Sequence, residues 1–160
     1  QANQILHRSL EKKSFISILA GRFEARTNRF RFARAGHCPV VYFDSQKKQT
    51  RTLVPNGMAV GLTKSDLFEQ TLEEYTLTLK PGDILALYTD GLSEARNKTG
   101  EEFGEQRLCD VIARHADLNV HDLKEKIIDE ILQFLQNQNL HDDLTLILIK
   151  VSDTAGGKND

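Results

Sequence analysis

Between Ser14 and Val54 the chain offers four extended segments separated by turns of only a few residues. A parallel pair needs a crossover of a dozen or more residues, so segments this close must pair as antiparallel hairpins. Ser14 to Ala25 carries Phe15, Ile16, Ile18, Leu19 and Phe23 and reads as one long strand, with Gly21 expected to mark a bulge. After a Thr27-Asn28 turn, Arg29 to Ala35 alternates strictly, setting Phe30, Phe32 and Arg34 against Arg29, Arg31 and Ala33. Gly36, His37 and Pro39 interrupt the run, Val40 to Phe43 resumes it, and a polar turn leads to a short strand near Arg51 to Val54.

The loop Pro55 to Ser65 is rich in Gly and small residues. Leu67 to Leu79 alternates in the main and predicts a long strand, folded back by Pro81-Gly82 onto a strand from Ile84 to Tyr88. Beyond Asn97 the apolar period changes from two to 3.6. Phe103 to Ala116 gathers Phe103, Leu108, Val111 and Ile112 on one face. Val120 to Gln136 does the same with Leu123, Ile127, Ile128, Ile131, Leu132 and Leu135, behind Asn119 as N-cap. Leu144 to Val151 closes the pattern as a strand expected to be buried on at least one face. Gln1 to Lys13 reads as the end of an amphipathic helix, so the chain is expected to begin partway through a larger domain. The expected organisation is one domain over residues 1–151 and a frayed tail over 152–160.

A net charge of -2 and a pI near 6.2 leave no basic footprint for nucleic acid, and the arginines between Arg22 and Arg34 fall on strand-like segments that suit a solvated face. No apolar run reaches the length of a membrane span, and the first residues lack a signal-peptide pattern. Cys38 and Cys109 stand far apart without metal or redox spacing, which fits a reducing cytoplasm.

The chemistry-bearing residues lie at two strand ends. Asp90 and Gly91 follow the apolar strand Ile84 to Tyr88, where a carboxylate is exposed and Gly lets backbone or ligand approach. The same dipeptide more often marks a simple turn. His141-Asp142-Asp143 directly precede the last strand. If the two strands are neighbours, Asp90 and the Asp142/Asp143 pair meet at one rim, where oxygen ligands suit hard cations such as Mg²⁺ or Mn²⁺. By spacing alone, Asp142-Asp143 reads more readily as a pair that caps or solvates the strand entry. His37 and His141 read as hydrogen-bonded loop residues as readily as ligands.

Taken together, FARAGHCPVVYFD (Phe32 to Asp44), GMAVGL (Gly57 to Leu62), LKPGDILALYTDGLSEARN (Leu79 to Asn97), GEEFGEQRL (Gly100 to Leu108) and HDDLTLILIKV (His141 to Val151) carry a resemblance. The chain resembles the C-terminal two-thirds of a bacterial SpoIIE/RsbU-like serine phosphatase domain of the metal-dependent protein phosphatase (PPM) family. The resemblance implies an α+β fold, a sandwich of two antiparallel β-sheets flanked by helices, here lacking its N-terminal strands. It also implies a two-metal centre, Mn²⁺ or Mg²⁺, that activates a water for attack on phosphoserine or phosphothreonine. By the family pattern Asp90 and Asp142 are metal ligands and Asp143 a third candidate. Gly91 would let metal-bound waters sit close to the backbone, and His141 would support the ligands. The implied substrate is a phosphorylated regulatory protein such as an anti-sigma factor antagonist.

The family's N-terminal acidic motifs are absent from these residues, so about half of the metal shell is expected from this chain. Missing strands would leave sheet edges exposed, which predicts a homodimer through those edges or low stability. A non-catalytic remnant or scaffold that binds the phosphoprotein or its kinase is the alternative reading.

Overall fold

A computed structural model describes residues 2–10, 14–64, 66–138, 140 and 142–152. Their elements are, in chain order, α1 (Ala2–Ser9), β1 (Ile18–Glu24), β2 (Arg29–Ala35), β3 (Val40–Asp44), β4 (Gln49–Leu53), α2 (Leu67–Thr71), β5 (Glu74–Thr78), β6 (Ile84–Tyr88), α3 (Asp90–Ser93), α4 (Gly104–Arg114), α5 (Val120–Leu135) and β7 (Leu146–Lys150). All sheet pairings are antiparallel, and the strands form two sheets, ordered β1-β2-β5 and β4-β3-β6-β7. The expected tail from 153 onward lies outside the described residues. Among those residues no helix is long and apolar enough to cross a membrane.

The chain divides into two compact units, residues 1–39 with 54–79, and residues 40–53 with 80–160. In the first unit β2 follows the predicted alternation, with Phe30 and Phe32 buried and Arg29 and Arg31 exposed. Strand β1 is shorter than expected, and only an isolated bridge between Ile16 and Val60 extends it. Gly21 marks no bulge, because it pairs with Phe32 in unbroken register. Glycine stands there because a Cβ would lie 2.7 Å from the Phe30 ring. The expected long strand from Leu67 to Leu79 is a one-turn helix followed by β5. The Leu72 N–H closes the helical turn onto the Phe68 carbonyl, and Glu73 leaves it to bond Asn56. Helix α1 is tied to the Gly-rich loop by buried Asn3, whose side chain accepts from Gly61 N–H (2.8 Å) and donates to the Thr63 carbonyl (3.0 Å).

In the second unit β3 and β6 are central strands, and residues of both parities are buried along them. Helix α4 packs on β3 and β4, and α5 packs on α4 and β7. The four residues predicted to face inward, Phe103 directly before α4 and Leu108, Val111 and Ile112 on it, are each at most 1% exposed. Asn119 caps α5 as expected, its side chain accepting from Asp122 N–H at 3.0 Å. The last strand departs from expectation. No residue of β7 is buried and Ile147 is 53% exposed, because β7 is an edge strand with a neighbour on one side only.

A buried carboxylate organises the turn that leads into β6. Asp83 is wholly buried; its Oδ2 accepts from Tyr42 Oη and Lys80 N, and its Oδ1 from Ser45 N and Ser45 Oγ, all at 2.8 Å. A carboxylate removed from water is tolerated only when its lone pairs are occupied in this way. Burial, and after it the bond to Asp83, pushes the Tyr42 phenol well above its ordinary value.

Candidate metal centre

Strand β6 ends at Tyr88, and the chain turns at Thr89 into the single helical turn α3, whose first residue is Asp90. The Asp-Gly pair therefore opens a helix. Asp90 is exposed, as its position at the strand end predicts, and its Oδ1 accepts from the N–H of Gly91 at 3.1 Å. Leu92 and Ala95, buried, anchor the turn that carries it.

Strand β7 runs beside β6, with Tyr88 opposite Leu146 and Ile84 opposite Lys150. This pairing delivers Asp142 and Asp143, just before β7, to the end of β6 that carries Asp90. Both carboxylates are exposed, and Asp142 Oδ1 accepts from Asp143 N–H at 2.7 Å. His141 lies outside the described residues.

Two contacts dock the segment carrying Asp142 and Asp143 onto the Asp90 turn. Thr89 donates its hydroxyl to the Asp143 carbonyl (3.1 Å) and accepts from Thr145 N–H (2.9 Å), while its own N–H reaches the Thr145 carbonyl (3.1 Å). Gly91 supplies the second contact: a Cβ there would stand 2.5 Å from the Asp143 carbonyl oxygen and 3.2 Å from that of Asp142. Real Cβ atoms do not come so close, so the approach requires glycine. Thr89 was not singled out from the sequence, although it stands directly before Asp90 and is the only hydroxyl between Tyr88 and the helical turn.

Beside Gly91 opens a cleft of about 260 Å³ lined by Gly91, Glu94, Ala95, Arg96 and Asp142. Its donors are carboxylate oxygens, the ligand type that Mg²⁺ and Mn²⁺ prefer. Among the described residues no three His, Cys, Asp or Glu side chains converge closely enough to hold an ion by themselves. His37, the other histidine considered, belongs to the first unit, where its carbonyl accepts from Arg34 and its Nδ1 is buried without a partner.

A family model described as Stage II sporulation protein E (SpoIIE) matches residues 1–152. Phosphoserine phosphatase RsbU of Bacillus subtilis is 27% identical over 149 residues, which cover 92% of this chain and 42% of that protein. The chain thus spans less than half the length of this curated relative. Among solved structures, the SiaA-PP2C domain of Pseudomonas aeruginosa superposes with a TM-score of 0.73 at 22% identity, over 94% of this chain and 57% of that one. The phosphatase domain of SpoIIE from Bacillus subtilis, presoaked with Mn, superposes with a TM-score of 0.66 at 14% identity, over 88% and 58%. At these identities the structural likeness is one of fold, and it agrees with two antiparallel sheets and flanking helices. With the family model matched over residues 1–152, from the first residue through β7, the chain belongs to the SpoIIE family.

Proposed function

We propose that residues 1–151 form part of a metal-dependent serine/threonine phosphoprotein phosphatase domain, in which Asp90, Asp142 and Asp143 ligate Mn²⁺ or Mg²⁺. The observation that carries this reading is the docking of the 142–143 backbone on Gly91, which keeps three exposed carboxylates at one rim of the second sheet. Each of Asp90 and Asp142 has one oxygen turned to a neighbouring N–H, an arrangement that orients the carboxylate and leaves its other oxygen for a ligand. The donor set suits a hard cation, and the described residues supply a part of its shell, with the rest left to water and to further ligands. When bound, such cations activate a water and neutralise charge on a phosphoryl group.

This chain's own residues would set the carboxylates in place. Thr89 fixes the spacing between the two acidic segments, Gly91 permits their approach, and His141 would support the ligands. The relative named phosphoserine phosphatase supports phosphoserine as the group acted on; the proposed substrate is a phosphoserine or phosphothreonine on a regulatory protein, such as an anti-sigma factor antagonist, in the cytoplasm. The edge strands β1 and β7, with Phe23 and Ile147 at least 40% exposed, support pairing with a further strand or a second copy of the chain. Manganese-dependent release of phosphate from a phosphoserine peptide, lost in Asp90→Asn, is the expected result. Equal release by wild type and variant would refute the assignment. The absence of a converging triad among the described residues favours a second reading, a non-catalytic module that binds the phosphoprotein or its kinase. Peptide binding without hydrolysis at saturating Mn²⁺ would select it.

A further inference from the structure

We propose that Arg96 binds the phosphoryl group of the substrate, an inference that rests on the phosphatase reading. The cleft beside Gly91 is lined by the carboxylates of Glu94 and Asp142, and Arg96 is its one cation among the described residues. A phosphomonoester carries negative charge and must enter between exposed carboxylates, so it needs compensating positive charge beyond that consumed by the acidic ligands. A guanidinium provides this as a planar fork of N–H donors matched to two phosphoryl oxygens.

The local fold fixes the backbone that carries Arg96. Arg96 and Glu102 form an antiparallel bridge, flanked by the Phe103 N–H bonded to the Ala95 carbonyl at 2.8 Å. Ala95 and Phe103 are both buried and root this small hairpin in the second unit. Its tip is locked by Asn97, whose Oδ1 accepts from Thr99 N, Thr99 Oγ1 and Glu101 N within 3.0 Å. Glu102 Oε1 takes one guanidinium nitrogen at 2.7 Å. The two side chains are 53% and 47% exposed, and a pair so solvated contributes little to stability. The contact engages one guanidinium nitrogen and leaves other N–H donors of Arg96 to meet an anion.

If Arg96 served only to pair with Glu102, breaking the pair from either side would have the same result. A phosphoryl-binding role separates the two. Inorganic phosphate is titrated calorimetrically onto the Mg²⁺-loaded protein for wild type, Arg96→Ala, Arg96→Lys and Glu102→Gln, with peptide hydrolysis read on the same samples. Arg96→Ala should weaken phosphate binding about tenfold and raise KM for the phosphoserine peptide more than it lowers kcat. Arg96→Lys should recover part of the loss, and Glu102→Gln should stay within about threefold of wild type. Thermal unfolding confirms that the variants are folded, and Arg96→Lys keeps the test available if the alanine variant is not. Active wild type with unchanged phosphate affinity in Arg96→Ala, or equal losses in Arg96→Ala and Glu102→Gln, overturns the role of Arg96 and leaves the phosphatase reading standing. Wild type that neither hydrolyses the peptide nor binds phosphate overturns both.

Discussion

Replacing Asp83 with alanine asks how much of the second unit depends on one buried carboxylate. Asp83 accepts hydrogen bonds from Tyr42, from the Ser45 backbone and hydroxyl, and from Lys80. Alanine would strand three donors, since the Ser45 hydroxyl also reaches the Pro81 carbonyl at 2.9 Å and keeps that partner. A buried donor left unsatisfied costs about 1–3 kcal/mol, and partial relaxation around three of them gives a loss on the order of 3–5 kcal/mol. Asparagine keeps an acceptor for Ser45 but turns an NH₂ group toward Tyr42 and Lys80. The hydroxyl can rotate to accept, whereas the Lys80 N–H cannot, so the loss falls to about 1–3 kcal/mol. Tyr42→Phe removes one donor and leaves the carboxylate three, for about 1–2 kcal/mol. Urea denaturation followed by circular dichroism measures these losses as falling midpoints at constant slope. A loss below about 1 kcal/mol for Asp83→Ala, or an asparagine variant less stable than the alanine one, would refute the reasoning. The clamp also leaves a trace in alkali. Tyr42 has its pKa raised above 10.0 by burial first and by its bond to Asp83 second, so the folded chain keeps a proton that the unfolded chain releases. The stability this contributes is complete below pH 10.0 and is lost as pH climbs beyond it, and Tyr42→Phe should flatten that decline.

Gly91→Ala places a methyl 2.5 Å from the Asp143 carbonyl oxygen and should cost about 1–3 kcal/mol while weakening Mn²⁺ binding measured by calorimetry. Thr89→Val keeps the shape of the side chain but loses both hydroxyl bonds to the 143–145 segment. It should lower stability by about 1–2 kcal/mol, and Thr89→Ser should recover most of it in the same denaturation assay. Asn119→Ala removes the cap of α5 and should cost about 1 kcal/mol, read as a fall in melting temperature.

Where one physical signal decided the local structure, the sequence was sufficient to read it. The strict alternation of Arg29 to Ala35 and the apolar run Ile84 to Tyr88 coincide with β2 and β6, and the 3.6-residue periods coincide with α4 and α5. Leu67 to Leu79 misleads because Leu67, Phe68 and Leu72 satisfy either period over so short a stretch. Asn56, which accepts the backbone N–H of Glu73 and donates its own to that residue's side chain, is distant in sequence. Gly21 misleads for a similar reason: what demands glycine is the ring of Phe30 on the next strand, not a local kink. At the candidate site the carboxylates were legible as an acidic residue at each of two strand ends. Their adjacency depends on the β6–β7 pairing, and the roles of Thr89 and Gly91 in joining them depend on backbone atoms more than fifty residues away. No spacing rule reaches that far.

The chain passes between its two units at 39/40, at 53/54 and again at 79/80, so neither unit is a continuous stretch of polypeptide. All three carboxylates lie after the last of these crossings, yet β6, which leads to Asp90, is paired with β3 from before the second. Residues 80–152 alone would retain every acidic ligand and lose the partner along one side of β6. The acidic rim therefore cannot be transplanted as a cassette. Shuffling, truncation or fusion preserves it only where the interleaved strands on both sides of 54–79 are carried along.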